Sequence, residues 1–379
     1  MKRIKYIAYY DRLDSKIKRN FILSASNKID YIISVLNKNG VAVDIISFSG
    51  CVSDSIVLDP GGEREFGINT LKHFSSFGPS TSRIVRLFSR FWQKIQLFCW
   101  FILNVRRNEK IIVYHSLGYC RILTYLKLIK RCSYIGEIEE IYQDVSPQSE
   151  SICKSEYRFI DICDRYIFPT QLLNERLNHL NKPHTFIHGI YQVEYLRNVD
   201  RRDSDIHVVY AGTFDKNKGG AAAAVTAATY LPMGYHLHIC GFGNELDVAE
   251  IRTLIQETSL KSKAKVTYEG LIQGEEFICF LQKCQIGLST QDPTASFNAT
   301  SFPSKILTYL ANGLNVVSIR IPAVELSGVG HCISYYDEQT PQSIAAAILN
   351  CNILPIDETL SVLETLDEEF HKNIMLLIE

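Results

Sequence analysis

HVVYAGTFDKNKGGAAAAV, residues 207–225, reads as an apolar strand that runs into a small-residue loop and out into an alanine-rich helix. Gly212 and the pair Gly219–Gly220 permit a tight turn and close approach of backbone to a ligand. A strand that turns through such a loop into a helix leaves backbone N–H groups free to receive an anion. Lys218 adds a mobile positive charge to that loop, and Thr213 follows the first glycine. The pattern returns as HLHICGFGN, residues 236–244, where Gly241 and Gly243 make a second turn directly after a strand. KVTYEG, residues 265–270, ends in the same way on Glu269 and Gly270. A third signal is NATSFPSKILTYLANGLNVVS, residues 298–318. Pro303 suits a first helical turn, which puts Ser304 and Lys305 where helix N–H groups are unpaired and the dipole favours an anion.

Outward from these stretches, strand-like and helix-like segments alternate along the whole chain, which predicts α/β architecture with mainly parallel sheets. In the first half the strands expected are 3–10, 41–48, 109–116, 132–140, 164–170 and 184–190. In the second half they are 206–212, 235–241, 265–270, 285–290, 314–319 and 331–336, a doubly wound unit whose ligand crevice lies at the strand carboxyl ends. A chain of 379 residues suits two domains. The polar stretch YLRNVDRRDSD, residues 195–205, reads as the linker, giving domains at 1–195 and 206–355 followed by an amphipathic tail helix at 360–379.

Composition narrows the function classes. With 46% hydrophobic and 21% charged residues the chain has the make-up of an ordinary globular protein. A formal net charge of −1 argues against coating nucleic acid, which calls for a basic excess. The eleven cysteines include no CxxC pair, so a disulfide framework or a zinc ribbon is not expected; reduced thiols in the cytoplasm fit better. The opening MKRIKYIAYYDRLD turns polar too soon for a signal peptide, and no apolar run reaches bilayer-spanning length.

In the first half, His115 ends the strand EKIIVYHS, and Glu137 and Glu139 end CSYIGEIEE. A histidine and carboxylates at strand carboxyl ends could meet an acceptor, orient its hydroxyl or act as its base; the other reading is an acidic cluster capping the next helix. The segment RIVRLFSRFWQKIQLFCWFILNVRR, residues 83–107, reads as a long helix rich in bases and aromatics. It serves either as a cover helix leading into the strand at 110–114 or as a peripheral contact with the inner face of an anionic membrane.

The order and spacing of the loops at 212–220 and 300–313 resemble the donor half of nucleotide-sugar glycosyltransferases of the GT-B fold, in particular glycosyltransferase family 4 and its FPSK-type subgroup. The resemblance covers about residues 160–350. It implies two Rossmann-like domains facing each other across a cleft, the first taking the acceptor and the second the donor, with the tail helix returning to the first. It implies a retaining, metal-independent hexosyltransferase that uses a nucleoside-diphosphate sugar as substrate, needs no cofactor, and favours a UDP-sugar over a GDP-sugar. The acceptor implied is a glycan or a lipid-linked one, as in surface polysaccharide synthesis. By the same resemblance Gly212, Thr213, Lys218, Gly241, Gly243, Glu269, Gly270, Ser301, Ser304, Lys305 and Thr308 contact the donor. Ser301, with Asp292, Ser296 and Asn298, belongs to the loop that would meet the sugar. Two departures matter. Thr213 stands where the family often has arginine, and Thr300 and Thr308 stand where many members carry paired glutamates, the second of which accepts hydrogen bonds from ribose. Other readings of the same residues are a nucleotide-sugar epimerase or a hydrolytic relative on this fold, or a non-catalytic partner whose donor site has decayed.

Overall fold

The computed structural model describes residues 2–12, 14–197, 204–215, 220–352 and 354–379, without the side chains of 296 and 297. The chain forms two compact units. The first comprises the residues up to Pro169, Leu173–Ile187 and Phe370–Glu379; the second comprises Thr170–Leu172 and His188–Glu369.

The first unit is built on strands β1 (Lys2–Ala8), β2 (Val41–Ser47), β3 (Leu58–Asp59), β4 (Gly62–Phe66), β5 (Asn69–His73), β6 (Ser76–Phe77), β7 (Lys110–Tyr114), β8 (Ser133–Glu137), β9 (Arg165–Phe168) and β10 (His184–Phe186). Eight of them form one sheet in the order β10-β9-β8-β7-β1-β2-β5-β4. Every pairing in it is parallel except that of β4 with β5. The central strands are continuous apolar runs because helices cover both faces of a parallel sheet. β4 carries Glu63, Arg64 and Glu65 at the outer edge, where charge discourages pairing with another chain. Its lack of apolar alternation is why the sequence does not announce it.

The tail is one continuous helix, Ile356–Ile378, starting four residues before the expected 360. Its last turns join the first unit: Phe370 stacks on Tyr31 at 5.9 Å, Lys110 donates to the Ile378 carbonyl, and Arg165 donates to that of Leu377. The passage between units falls after Ile187, so residues 188–195 group with the second unit and not with the first, where the sequence reading put them. Local bonding explains this. The Glu194 N–H donates to the Ala311 carbonyl at 3.0 Å, and Gln282 donates to the Tyr195 carbonyl at 3.0 Å.

The second unit has β11 (Ile206–Thr213), β12 (Tyr235–Phe242), β13 (Lys265–Gly270), β14 (Ile286–Ser289), β15 (Asn315–Ile319) and β16 (Ile333–Tyr336). All pair in parallel, in the order β13-β12-β11-β14-β15-β16. That is the doubly wound arrangement, and its order reverses between β11 and β14. These two strands pair only at Val208–Ile286 and Val209–Gly287. Beyond that point they part and open a crevice at their carboxyl ends.

Candidate functional site

Lys305 begins the helix Lys305–Ala311 that follows β14, and its ammonium turns back over β11. The ammonium lies 4.2 Å from the centre of the Tyr210 ring. A Cβ at position 212 would come within 2.9 Å of the Lys305 Nζ, so the glycine leaves the space the ammonium occupies. The head group is enclosed although part of the side chain reaches solvent. Burial alone lowers the lysine to about 8. Among the described residues no carboxylate pairs with it. A partly desolvated cation resting on an aromatic face, uncompensated, is poised to receive an anion.

Tyr210 also fixes the loop above. Its hydroxyl donates to the Thr213 carbonyl at 2.9 Å and accepts from the Gly220 N–H at 3.1 Å, which ties both ends of the loop to one side chain. Gly220 is held against β14, where the Thr290 hydroxyl donates to its carbonyl at 2.8 Å. A Cβ there would strike the Thr290 carbonyl oxygen at 1.8 Å, so only glycine allows the approach.

Tyr309, fully buried, fills the gap where β11 and β14 diverge. Its hydroxyl accepts from the Ala211 N–H at 2.8 Å, a group whose strand partner has moved away. Its ring packs where Gly287 has no side chain, a Cβ there falling 2.3 Å from the ring. Next to β14, Gln291 accepts from the Ser289 hydroxyl at 2.7 Å and leaves its Nε2 buried with no hydrogen-bond partner among the described residues. Such an orphaned donor suits an oxygen acceptor. A cavity of about 640 Å³ opens beside these loops, walled among others by Phe214, Gly220, Leu246, Asp247, Leu254 and Thr290. That volume is in the range of small-molecule sites.

Several expected donor residues therefore converge, and others do not. Gly212 and Lys305 meet directly. Thr213 ends β11 and takes part in the loop closure, and Gly241 lies in register beside Gly212. Gly243 sits against Asp247 where the next helix begins. Ser301 is half-buried, and Ser304 is exposed at the helix start with no capping bond from its side chain. Thr308 is exposed, and its hydroxyl returns to the Ser304 carbonyl, a bond within its own helix. Gly270 takes a positive φ of 76° with open space around it. Lys218 lies outside the described residues. Glu269, next to the end of β13, accepts from His238 at 2.8 Å and from Thr267. Tyr210, Tyr309 and Gln291 were missed. Tyrosine in an apolar strand or helix reads as core, and only tertiary contacts reveal what its hydroxyl does.

In the first unit, the expected catalytic groups are mostly shut away. His115 is 2% exposed, stacked on Phe159, with Nε2 3.4 Å from Glu156; burial lowers it to about 4, so it is neutral. Glu137 is 0% exposed and accepts from the Tyr6 hydroxyl. Burial and the nearby Glu139 raise it to about 8, against a smaller lowering by Lys28. Neither can reach an acceptor hydroxyl as placed, so the sequence reading of both as acid–base groups does not fit. Glu139 remains partly exposed and pairs with Lys28 at 2.6 Å.

No protein-family model and no curated protein sequence matches this chain. Solved structures do. The pneumococcal O-GlcNAc transferase GtfA, in complex with UDP and GlcNAc, aligns over 100% of this chain and 98% of its own with a TM-score of 0.65 at 10% identity. The α,α-trehalose 6-phosphate synthase of Burkholderia multivorans aligns over 100% and 99% with a TM-score of 0.60 at 11% identity. AviGT4, a glycosyltransferase involved in avilamycin A biosynthesis, aligns over 100% and 98% with a TM-score of 0.56 at 12% identity. The likeness runs through both units and establishes the fold as GT-B.

Proposed function

We propose that the chain is a retaining, metal-independent glycosyltransferase of the family 4 type, FPSK variant, moving a hexose from a nucleoside-diphosphate donor to a glycan or lipid-linked acceptor. The observation that carries this reading is Lys305: an ammonium at the switch point, in the space left by Gly212, that no carboxylate pairs among the described residues. The donor diphosphate would lie there, with Lys218 a further contact, and the nucleoside would extend toward the adjacent cavity. Glycosidic cleavage puts negative charge on the leaving diphosphate. A fixed cation in a partly desolvated site stabilises that charge more in the transition state than in the ground state, with no metal needed. Gln291 would give its orphaned N–H to a phosphate or sugar oxygen. GtfA, solved in complex with UDP and GlcNAc, favours the reading of a UDP-sugar donor.

The first unit supports an acceptor at a membrane surface in surface polysaccharide synthesis. The helix Arg83–Asn104 buries only Ser89, Gln93, Leu97 and Phe101. Along it Ile84, Leu87, Phe88, Phe91 and Leu103 are all more than half exposed, interleaved with Arg83, Arg86, Arg90 and Lys94. Aromatic and aliphatic side chains among cations are the make-up of an interfacial helix on anionic lipid. No helix among the described residues is long and apolar enough to cross a membrane. The protein should float with phosphatidylglycerol-containing vesicles, and Phe88→Glu with Phe91→Glu should abolish flotation; unchanged flotation would remove this helix from the reading.

Calorimetry with UDP and GDP, followed by turnover of nucleotide sugars with and without acceptor, tests the function. A transferase binds one nucleotide and needs both substrates for transfer. Turnover without acceptor would indicate an epimerase or hydrolase, and binding of neither nucleotide a decayed site.

A further inference from the structure

At the other end of the second sheet, three histidines stand on one face of adjacent strands. His207 is the second residue of β11, and His236 and His238 are the second and fourth of β12. In register, His207 pairs with His236, and Val209 pairs with His238, which puts the three imidazoles on the same side. One ring nitrogen from each falls within a set whose members all lie within 4.8 Å of one another. The His207 Nδ1 and His238 Nε2 share a hydrogen bond at 2.8 Å. Ligand atoms of a tetrahedral zinc ion, at about 2.0–2.1 Å from the metal, sit roughly 3.4 Å apart. An ion bound there would take the place of the His207–His238 hydrogen bond.

A second observation concerns how the rings are oriented. The Glu269 carboxylate lies 2.8 Å from the His238 Nδ1, which fixes the proton on that nitrogen. The Nε2 then carries the lone pair, which accepts the His207 Nδ1 proton that a bound ion would displace. A carboxylate holding the far nitrogen of an imidazole is the outer-shell device that orients histidine on zinc. Thr267 supports the same carboxylate by donating to it, and hydrogen-bonds His236 at 3.0 Å. His207 and His236 are only partly buried, so an ion can approach them from solvent.

We infer that His207, His236 and His238 form a binding site for one divalent zinc-type cation, with Glu269 positioning His238 from the outer shell. The site lies roughly 16 Å from Gly212, five residues along β11. It is separate from the donor crevice and ties the amino ends of β11 and β12 together. Its existence does not depend on the chain being a transferase.

Titration of the reduced full chain with Co²⁺ and Zn²⁺ tests it. Expected are uptake of one equivalent, visible Co²⁺ absorption of a nitrogen- and oxygen-ligated ion without a sulfur charge-transfer band, and a melting temperature that rises with Zn²⁺. His236→Ala should weaken binding by more than about tenfold, and Glu269→Gln by about tenfold or more, in proteins that keep the wild-type melting temperature without metal. Absence of uptake, a sulfur band that places the ion on cysteine, or equal affinity in both variants would overturn the site.

Discussion

Lys305→Ala should weaken binding of UDP about tenfold to a hundredfold, the effect of losing a charge-assisted phosphate contact worth roughly 1.5–3 kcal/mol. Transfer should suffer more than binding, because the cation acts hardest on the charge that develops as the bond breaks. The wild type should also show a pH signature. The free lysine titrates near 8 because burial disfavours its charged form, and a bound diphosphate raises that value. Affinity for UDP is therefore full below about pH 8 and declines as pH rises through it, with proton uptake on binding above that point. Calorimetry in buffers of different ionisation enthalpy measures both. Affinity that is flat from pH 7 to 9 and unaltered in Lys305→Ala would place the diphosphate elsewhere.

Glu137→Gln should stabilise the first unit at alkaline pH. Glu137 titrates near 8 in the folded protein against an ordinary 4.5. Between those values the unfolded chain has released the proton and the folded chain still holds it. The stabilisation is full below about pH 4.5 and is lost as pH rises through 8. Each unit of pKa shift corresponds to about 1.4 kcal/mol, so the total is on the order of a few kcal/mol, reduced by coupling to Glu139 and Lys28. Glutamine keeps the acceptor for the Tyr6 hydroxyl and does not ionise. The variant should match wild type near pH 5 and exceed it at pH 8 and above in denaturant melts. An identical decline in both proteins would mean that the carboxyl is ionised in the fold.

Most of the architecture could be read from the chain because parallel strands buried on both faces are uninterrupted apolar runs. VVYA in β11 and NVVSI in β15 are examples, each running into a glycine-bearing or polar loop. The β4–β5 hairpin could not, since GEREF at a sheet edge needs no apolar face. At the site, glycines and the lysine were legible because phosphate binding restricts which residue types can stand there. The reading of His115 and Glu137 failed for a different reason. Position at a strand carboxyl end predicts where a side chain begins and not whether it turns toward solvent, and both turn inward onto Phe159 and Tyr6. The hydrogen bond that Glu269 accepts from His238, 31 residues away on the next strand, was not legible either, because it exists only once the two strands pair.

Tyr309 has a use as a reporter. The Ala211 amide is bonded to a phenol carried by the Lys305 helix and not to a neighbouring strand. Its exchange with deuterium therefore gauges how firmly that one helix is seated, while amides deeper in β11 gauge the whole sheet. A ligand gripped by Lys305 should slow exchange at Ala211 selectively, so a single backbone proton can register occupancy of the crevice without any label or assay of turnover.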